Sequence, residues 1–247
     1  MTKENEELAK RYPWPETKPD LPFDGQGWFG WCHKAMMDVV LPKDYGVTVI
    51  ELGSWLGLST RFILSSAPAA TVLAIDHWRG DESILRDADE ETKNKVSKLY
   101  ETFLSNCWEY KDRLVPMRTT TIEGIREIRS LDVKPGFIFL DASHKYEDAK
   151  ADLEEVLRLY PDVRIGGDDY GGKWEGVKKA VDEFAARSGR VVCLAEHAWV
   201  VGLPEEKERL NMSLKGAMKF RYEEMDRTAQ AKRATIMASS DQDQEGG

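Results

Sequence analysis

The chain has few cysteines, no long apolar run and no excess of basic charge, and each shortage removes a class of protein. Cys32, Cys107 and Cys193 are the only cysteines among 247 residues. They lie far apart with no C-x-x-C spacing and read as reduced, partly buried thiols of a cytosol-like compartment, so neither a disulfide framework nor a zinc site is expected. No apolar run approaches the roughly 18 residues of a membrane span. The first twenty residues, MTKENEELAKRYPWPETKPD, are charged and Pro-punctuated and hold no apolar core of a signal peptide. A cytoplasmic protein without a membrane partner is the expectation. A formal net charge of −9 argues against a nucleic-acid partner, because neutralising phosphates takes clustered Lys and Arg.

What is present is an ordinary globular composition, 41% hydrophobic and 32% charged, long enough for one α/β domain or two small ones. The arm before residue 28 carries Pro13, Pro15, Pro19 and Pro22 and reads as chain laid over a surface. From Trp28 to Leu41 the apolar positions Phe29, Cys32, Met36, Met37 and Val40 predict a helix stopped by Pro42. Then strand and helix patterns alternate. "VTVIEL" (47–52), "TVLAID" (71–76), "RLVPMR" (113–118), "GFIFLD" (136–141) and "VRIGGDD" (163–169) read as strands. Each is followed by a helical stripe, the clearest being Ala149, Leu153, Val156, Leu157 and Tyr160. A second stripe at Val177, Ala180, Val181, Phe184 and Ala185 ends at Gly189, a good helix cap. "RVVCLA" and "AWVVGL" follow with no helix between them and predict a closing hairpin, after which residues 204–232 are charged and helical in pattern.

Five β-then-α units predict a Rossmann-like, doubly wound and mostly parallel sheet. Ligands of such sheets bind beyond the carboxyl ends of the strands, at the switch point beside the first strand. Four of the first five strands bring a carboxylate there: Glu51, Asp76, Asp141 and Asp168, with Asp169 beside the last. The first turn reads Glu51-x-Gly53-x-x-x-Gly57. Gly53 permits a tight turn and Gly57 a close helix, while Glu51 stands where it would repel a phosphate, which suits a cofactor carrying positive charge. A glycine turn with no ligand is the bland alternative. Asp76, about 20 residues on, stands where an acid bonds ribose hydroxyls in nucleotide folds, and His77 and Trp78 could flank an adenine or simply pack. The pair Asp168–Asp169 is either a polar turn or the seat of something positive.

"ELGSWLG", "AIDHWRGDE", "FLDASHKYEDAKADL" and "IGGDDYGGKWEGVKKAVDEF" together resemble the class I S-adenosylmethionine-dependent methyltransferases. More narrowly, they are similar to the group containing the macrocin-type sugar O-methyltransferases. The resemblance spans about residues 45–203 and implies a seven-stranded sheet with its last strand antiparallel. It implies cofactor contacts from Glu51, Gly53, Ser54 and Gly57, from Asp76, His77 and Trp78, and from Thr120 near the adenine. It implies a divalent cation, Mg²⁺ or another, on Asp141, Asp168 and Asp169, hard oxygen donors of the kind Mg²⁺ accepts. Such a cation lowers the pKa of an acceptor hydroxyl and orients it. His144, three residues past Asp141, is then the base or a brace of the Asp141 loop. Some relatives carry an aspartate where this chain has Ser143, which leaves the identity of the base open.

The expected organisation is an N-terminal arm and helix covering the active site (1–42), a catalytic domain (43–203), a helical extension (204–235) and a disordered tail (236–247). His33 and His197 read as structural. Trp28, Phe29 and Trp31 stack on a sugar, close over the cofactor or pack a helix on the sheet. Trp174 and Tyr170 are acceptor contacts, and "RGDESILRDADEE" (79–91) reads as a solvated flap. The expected partner is a small-molecule or glycan acceptor, with a homo-oligomer left open. The expected activity is O-methylation of a sugar or glycan hydroxyl. A catechol-type O-methyltransferase and a metal-dependent hydrolase are the alternatives, and a non-catalytic binding module would require a broken site.

Overall fold

A computed structural model describes residues 1–43, 45–80 and 90–245; within the expected flap, residues 81–89 therefore lie outside it. Seven strands form one sheet: β1 (Thr48–Leu52), β2 (Thr71–Asp76), β3 (Leu114–Arg118), β4 (Pro135–Leu140), β5 (Arg164–Gly167), β6 (Val191–Ala195) and β7 (Ala198–Gly202). Their order is β3-β2-β1-β4-β5-β7-β6. The first five pair in parallel, and β7 inserts antiparallel between β5 and β6. This is the class I methyltransferase fold, and the expected hairpin is the β6–β7 ribbon closed by the two residues Glu196 and His197.

Alternation along β1 and β4 explains why both faces of the sheet are covered. Val49, Phe137 and Phe139 join a core with Met36, Met37 and Phe103, whereas Ile50, Leu52, Ile138 and Leu140 join another with Leu153, Val156 and Val181. Successive side chains of a pleated strand point to opposite faces, so a strand buried on both sides must be apolar throughout. The first face holds α2 (Trp31–Val40), α3 (Leu58–Ser66), α5 (Leu99–Cys107) and the start of α9 (Lys207–Glu245); α4 (Glu90–Ser97) precedes α5 in the chain. The second holds α1 (Lys3–Arg11), α6 (Thr121–Ser130), α7 (Tyr146–Leu159) and α8 (Glu175–Ser188).

Two segments differ from the sequence reading. The arm contains α1, which the prolines that follow it conceal. Thr2 caps it by accepting from Asn5 N, Glu4 and Glu6 sit in its first turn, and Lys10 and Arg11 in its last, the charge order that a helix dipole favours. At the other end α9 runs on to Glu245, through the stretch read as a tail, because "MASSDQDQE" holds no glycine or proline to stop it. Leu210 and Leu214 bury the start of α9, and Arg221 fastens it to Asp38 of α2 through bonds of 2.6 and 2.9 Å. Among the described residues no helix is long and apolar enough to cross a membrane.

Leu8 is fully buried, and Asn5 donates to Thr48 Oγ1 at 2.9 Å at the start of β1. Leu8→Ala should therefore cost about 2–5 kcal/mol by cavity formation, measured by denaturant unfolding. A cost within experimental error would mean that α1 is not docked in solution.

Candidate active site

A cavity of about 490 Å³ opens at the carboxyl ends of β1, β2 and β4. Its centre is the turn after β1. Gly53 has φ +85°, and a Cβ there would overlap the carbonyl of Asp141 and the backbone of Ala142. Glycine is thus required both for the left-handed turn and for the contact of the β1 and β4 ends. Gly57, at φ +83°, likewise lets α3 lie against Cys107 and Phe103.

Glu51 faces away from the cavity. It is completely buried, and its Oε2 accepts from Ser54 Oγ at 2.7 Å and from Thr60 Oγ1. Burial pushes its pKa up against the pull of the Ser59, Thr60 and Ser54 hydroxyls. Through Oε2 it braces the turn and occupies the Ser54 hydroxyl, while its Oε1 is buried without a partner among the described residues. Asp76 does line the cavity. Its Oδ2 accepts from Ser54 N (3.1 Å) and Trp55 N (3.0 Å), and its Oδ1 from Trp78 N (2.6 Å). A carboxylate offers about four lone-pair sites, so Asp76 has one left for a ligand. His77 lies on the wall, whereas Trp78 is buried against Tyr100 and Phe103.

Composition alone does not single out Trp55, yet it stands on the cavity wall at φ +46°, its ring 6.2 Å from that of Trp28. Its indole Nε1 is buried without a partner. Trp28 lines the same cavity; Phe29 instead stacks on His33, and Trp31 meets Tyr222 of α9. The far wall holds Thr120, Thr121, Ile122 and Asp152. Thr120 caps α6 and donates to Glu123 at 2.7 Å. Asp152 comes from the α7 stripe and accepts from Thr121 Oγ1 at 2.5 Å. No motif marks it, because one Asp inside a helical stripe looks like any solvated residue.

The two adjacent aspartates diverge. Asp169 has φ +65°, a left-handed conformation that Asp tolerates better than most side chains, and its Oδ2 meets His144 Nε2 at 2.9 Å. His144 lies flat on Trp174, centroids 3.9 Å apart. Oxygens of Asp141 and Asp169 and a nitrogen of His144 all lie within 4.8 Å of one another. Asp168 is absent from that group. It is buried, with Oδ1 2.7 Å from His197 Nδ1 and Oδ2 2.8 Å from His33 Nε2, the latter bent off the N–H direction. Tyr170 turns to Asp182 of α8, at 2.6 Å.

Charge follows this partition. Burial would raise the pKa of Asp168, but its hydrogen bonds and ion pairs to His33 and His197 pull it below the usual range. Among the described residues Asp141 has no such partner at bonding distance. Burial, then the charges of Asp168 and Asp169, push it up to about 8 against the pull of His33 and His144.

Burial also lifts Asp152 to about 7, despite the Thr121 hydrogen bond. A carboxyl whose folded pKa exceeds its unfolded value holds its proton more tightly when folded, so stability falls as pH rises from about 4 to 7. Asp152→Asn should flatten that fall: between pH 5 and pH 8 its melting temperature should drop less than the wild type's. Parallel slopes would mean that Asp152 ionises freely in the folded protein.

Residues 50–170, just under half of the chain, match a family described as a methyltransferase domain. No curated protein matches the chain. Among solved structures, a TDP-rhamnose 3'-O-methyltransferase of calicheamicin biosynthesis is 16% identical, with a TM-score of 0.49 over 81% of this chain and 95% of that one. An O-methyltransferase from Bacillus cereus, in complex with SAH, is 16% identical, with a TM-score of 0.43 over 81% and 90%. The fibrillarin pre-rRNA processing protein of Methanococcus jannaschii is 16% identical, with a TM-score of 0.45 over 66% and 69%. Likenesses this distant say nothing about substrate. What the sheet order and the family match establish is a class I methyltransferase fold whose residues 50–170 are similar to a methyltransferase domain.

Proposed function

We propose that the protein is an S-adenosylmethionine-dependent O-methyltransferase that acts, with a divalent cation, on a hydroxyl of a sugar or glycan. One observation carries this reading: a single cavity has the Gly53–Asp76 turn on one side and Asp141 and His144 on the other, with Asp169 within 4.8 Å of both. A methyl transfer needs a donor and an acceptor aligned across a short gap, and the two sides supply the two seats.

The donor side fits the cofactor. The cradle at Gly53 has no room for a Cβ, Asp76 keeps one lone pair for a ribose hydroxyl, and Trp55 offers an unpartnered N–H. The cofactor supplies an activated methyl group on a sulfonium. The acceptor side fits a cation: Asp141 and Asp169 contribute oxygens, while Asp168 would join only by giving up a histidine. Magnesium prefers an all-oxygen set completed by water, and the nearby nitrogen of His144 also admits a transition metal. A bound cation would lower the pKa of an acceptor hydroxyl and fix its orientation. Paired with Asp169 and stacked on Trp174, His144 would take the proton that the hydroxyl loses. Two adjacent oxygens on one cation would equally suit a catechol; the motifs "DHWRGDE" and "DDYGGKWEGVKKAVDEF" favour the sugar.

Calorimetric titration of S-adenosylhomocysteine into the protein should show binding with Mg²⁺ and equally with EDTA, and Asp76→Ala should weaken it by about 1–3 kcal/mol. Absence of binding in both conditions would overturn the cofactor assignment. With an accepted sugar in hand, His144→Ala should lower kcat about 10²-fold or more while the affinity for S-adenosylhomocysteine holds. A kcat within twofold of the wild type would return His144 to a structural role.

A further inference from the structure

Behind Asp168, outside the cavity, a second cluster has no part in the reading above. Cys32 Sγ lies 3.6 Å from His33 Nδ1 and 3.5 Å from His197 Nε2, and one atom from each residue lies within 4.8 Å of the others. Cys32 and His33 open α2, and His197 sits in the β6–β7 turn. All three lie outside the residues that match the methyltransferase domain. We propose that Cys32, His33 and His197 form a binding site for a thiophilic divalent cation of the zinc class, with Asp168 orienting both imidazoles.

Three features support the assignment. First, the spacing is right: metal–sulfur and metal–nitrogen bonds of about 2.3 and 2.0 Å in a tetrahedron put sulfur and nitrogen about 3.5 Å apart. Second, the tautomers are set from both sides. Asp168 accepts only, so it draws the N–H of His197 Nδ1, while Gly30 N donates to His33 Nδ1 and puts the His33 proton on Nε2, 2.8 Å from Asp168 though off the N–H direction. That leaves a lone pair on each of the nitrogens nearest Cys32, the one on His33 Nδ1 held by the exposed Gly30 N–H. A metal-ligating histidine almost always donates its other N–H to such an outer partner, and here a single buried aspartate serves two. Third, access differs around the site. Cys32 and His33 are 2% and 1% exposed, whereas the His197 side chain is 49% exposed, so solvent reaches the fourth position.

Without a cation these lone pairs have modest uses. Gly30 N donates to His33 Nδ1 at 2.8 Å, which leaves the Cys32 thiol to donate to His197. Binding would release the thiol proton to solvent and free the exposed Gly30 N–H to bond water. The cation would then tie the start of α2 to the β6–β7 turn.

The test is titration of the full chain, reduced and free of chelator, with cobalt(II), read at the thiolate-to-cobalt charge-transfer absorption. The carboxylates and His144 of the cavity cannot produce that absorption. The band should saturate at about one cobalt per chain, persist in Cys107→Ser and Cys193→Ser, and vanish in Cys32→Ser. Asp168→Asn should raise the cobalt Kd about 10–100-fold. No band, or one that survives Cys32→Ser, would overturn the proposal. Should Cys32→Ser fail to fold, the half-exposed His197→Ala decides. With its far-ultraviolet dichroism unchanged, it should bind cobalt at least about tenfold more weakly, and an unchanged Kd would reduce the cluster to a hydrogen-bonded thiol.

Discussion

The contact between the β1 turn and the end of β4 is the constraint on which the rest of the site depends. With Gly53 lying directly against the backbone of Asp141 and Ala142, the two loops on either side of the topological switch point part only beyond that contact. The cavity is therefore a property of backbone packing. Side chains decorate it, and several that look ligand-like in one dimension are spent on holding the turn. Glu51 fastens the hydroxyls of Ser54 and Thr60, and Asp76 collects three backbone N–H groups before any ligand arrives.

Carboxylate crowding is the second organising force. Burial, and then the charges of Asp168 and Asp169, lift Asp141 well above the ordinary range. The chain answers with a single backbone twist at Asp169 and three histidines. One carboxylate meets His144 of the cavity wall, and its neighbour turns the other way, to His33 and His197. Asp168 thus has two histidine neighbours and Asp169 one, so the cavity side is the less neutralised of the two.

Much of the fold was legible because its signals are local. Apolar runs of strand length, helical stripes and the Gly53 and Gly189 punctuation report backbone geometry directly, and the sheet follows from their order. The site was legible only in outline. Asp76, Thr120, Asp141 and His144 stand at strand ends and reach the cavity, as the rule for such sheets requires. Where a side chain points is another matter, since it depends on partners distant in sequence. Nothing near Asp168 announces His33, more than a hundred residues earlier, and nothing near Cys32 announces His197. Asp152 and Trp55 were missed for the same reason: their exposure to the cavity is created by α6 and by Trp28. The helix α1 was hidden by the prolines that follow it, and the end of α9 by a polar composition that suggests disorder but contains no residue that breaks a helix.

The insertion of β7 between β5 and β6 has a consequence for the order in which the molecule is built. During synthesis the outer edge of β5 waits for a strand that emerges some thirty residues later, and until then its backbone groups face water. Asp168 waits with it, because His197 arrives on the turn that delivers β7. The nascent chain can assemble β1 to β4 early, but Asp168 lacks its second histidine until the last strand slides home. A chain stalled or truncated before the final ribbon would expose an open sheet edge beside an acid with only one of its two histidines, a combination that quality-control chaperones and proteases are suited to detect.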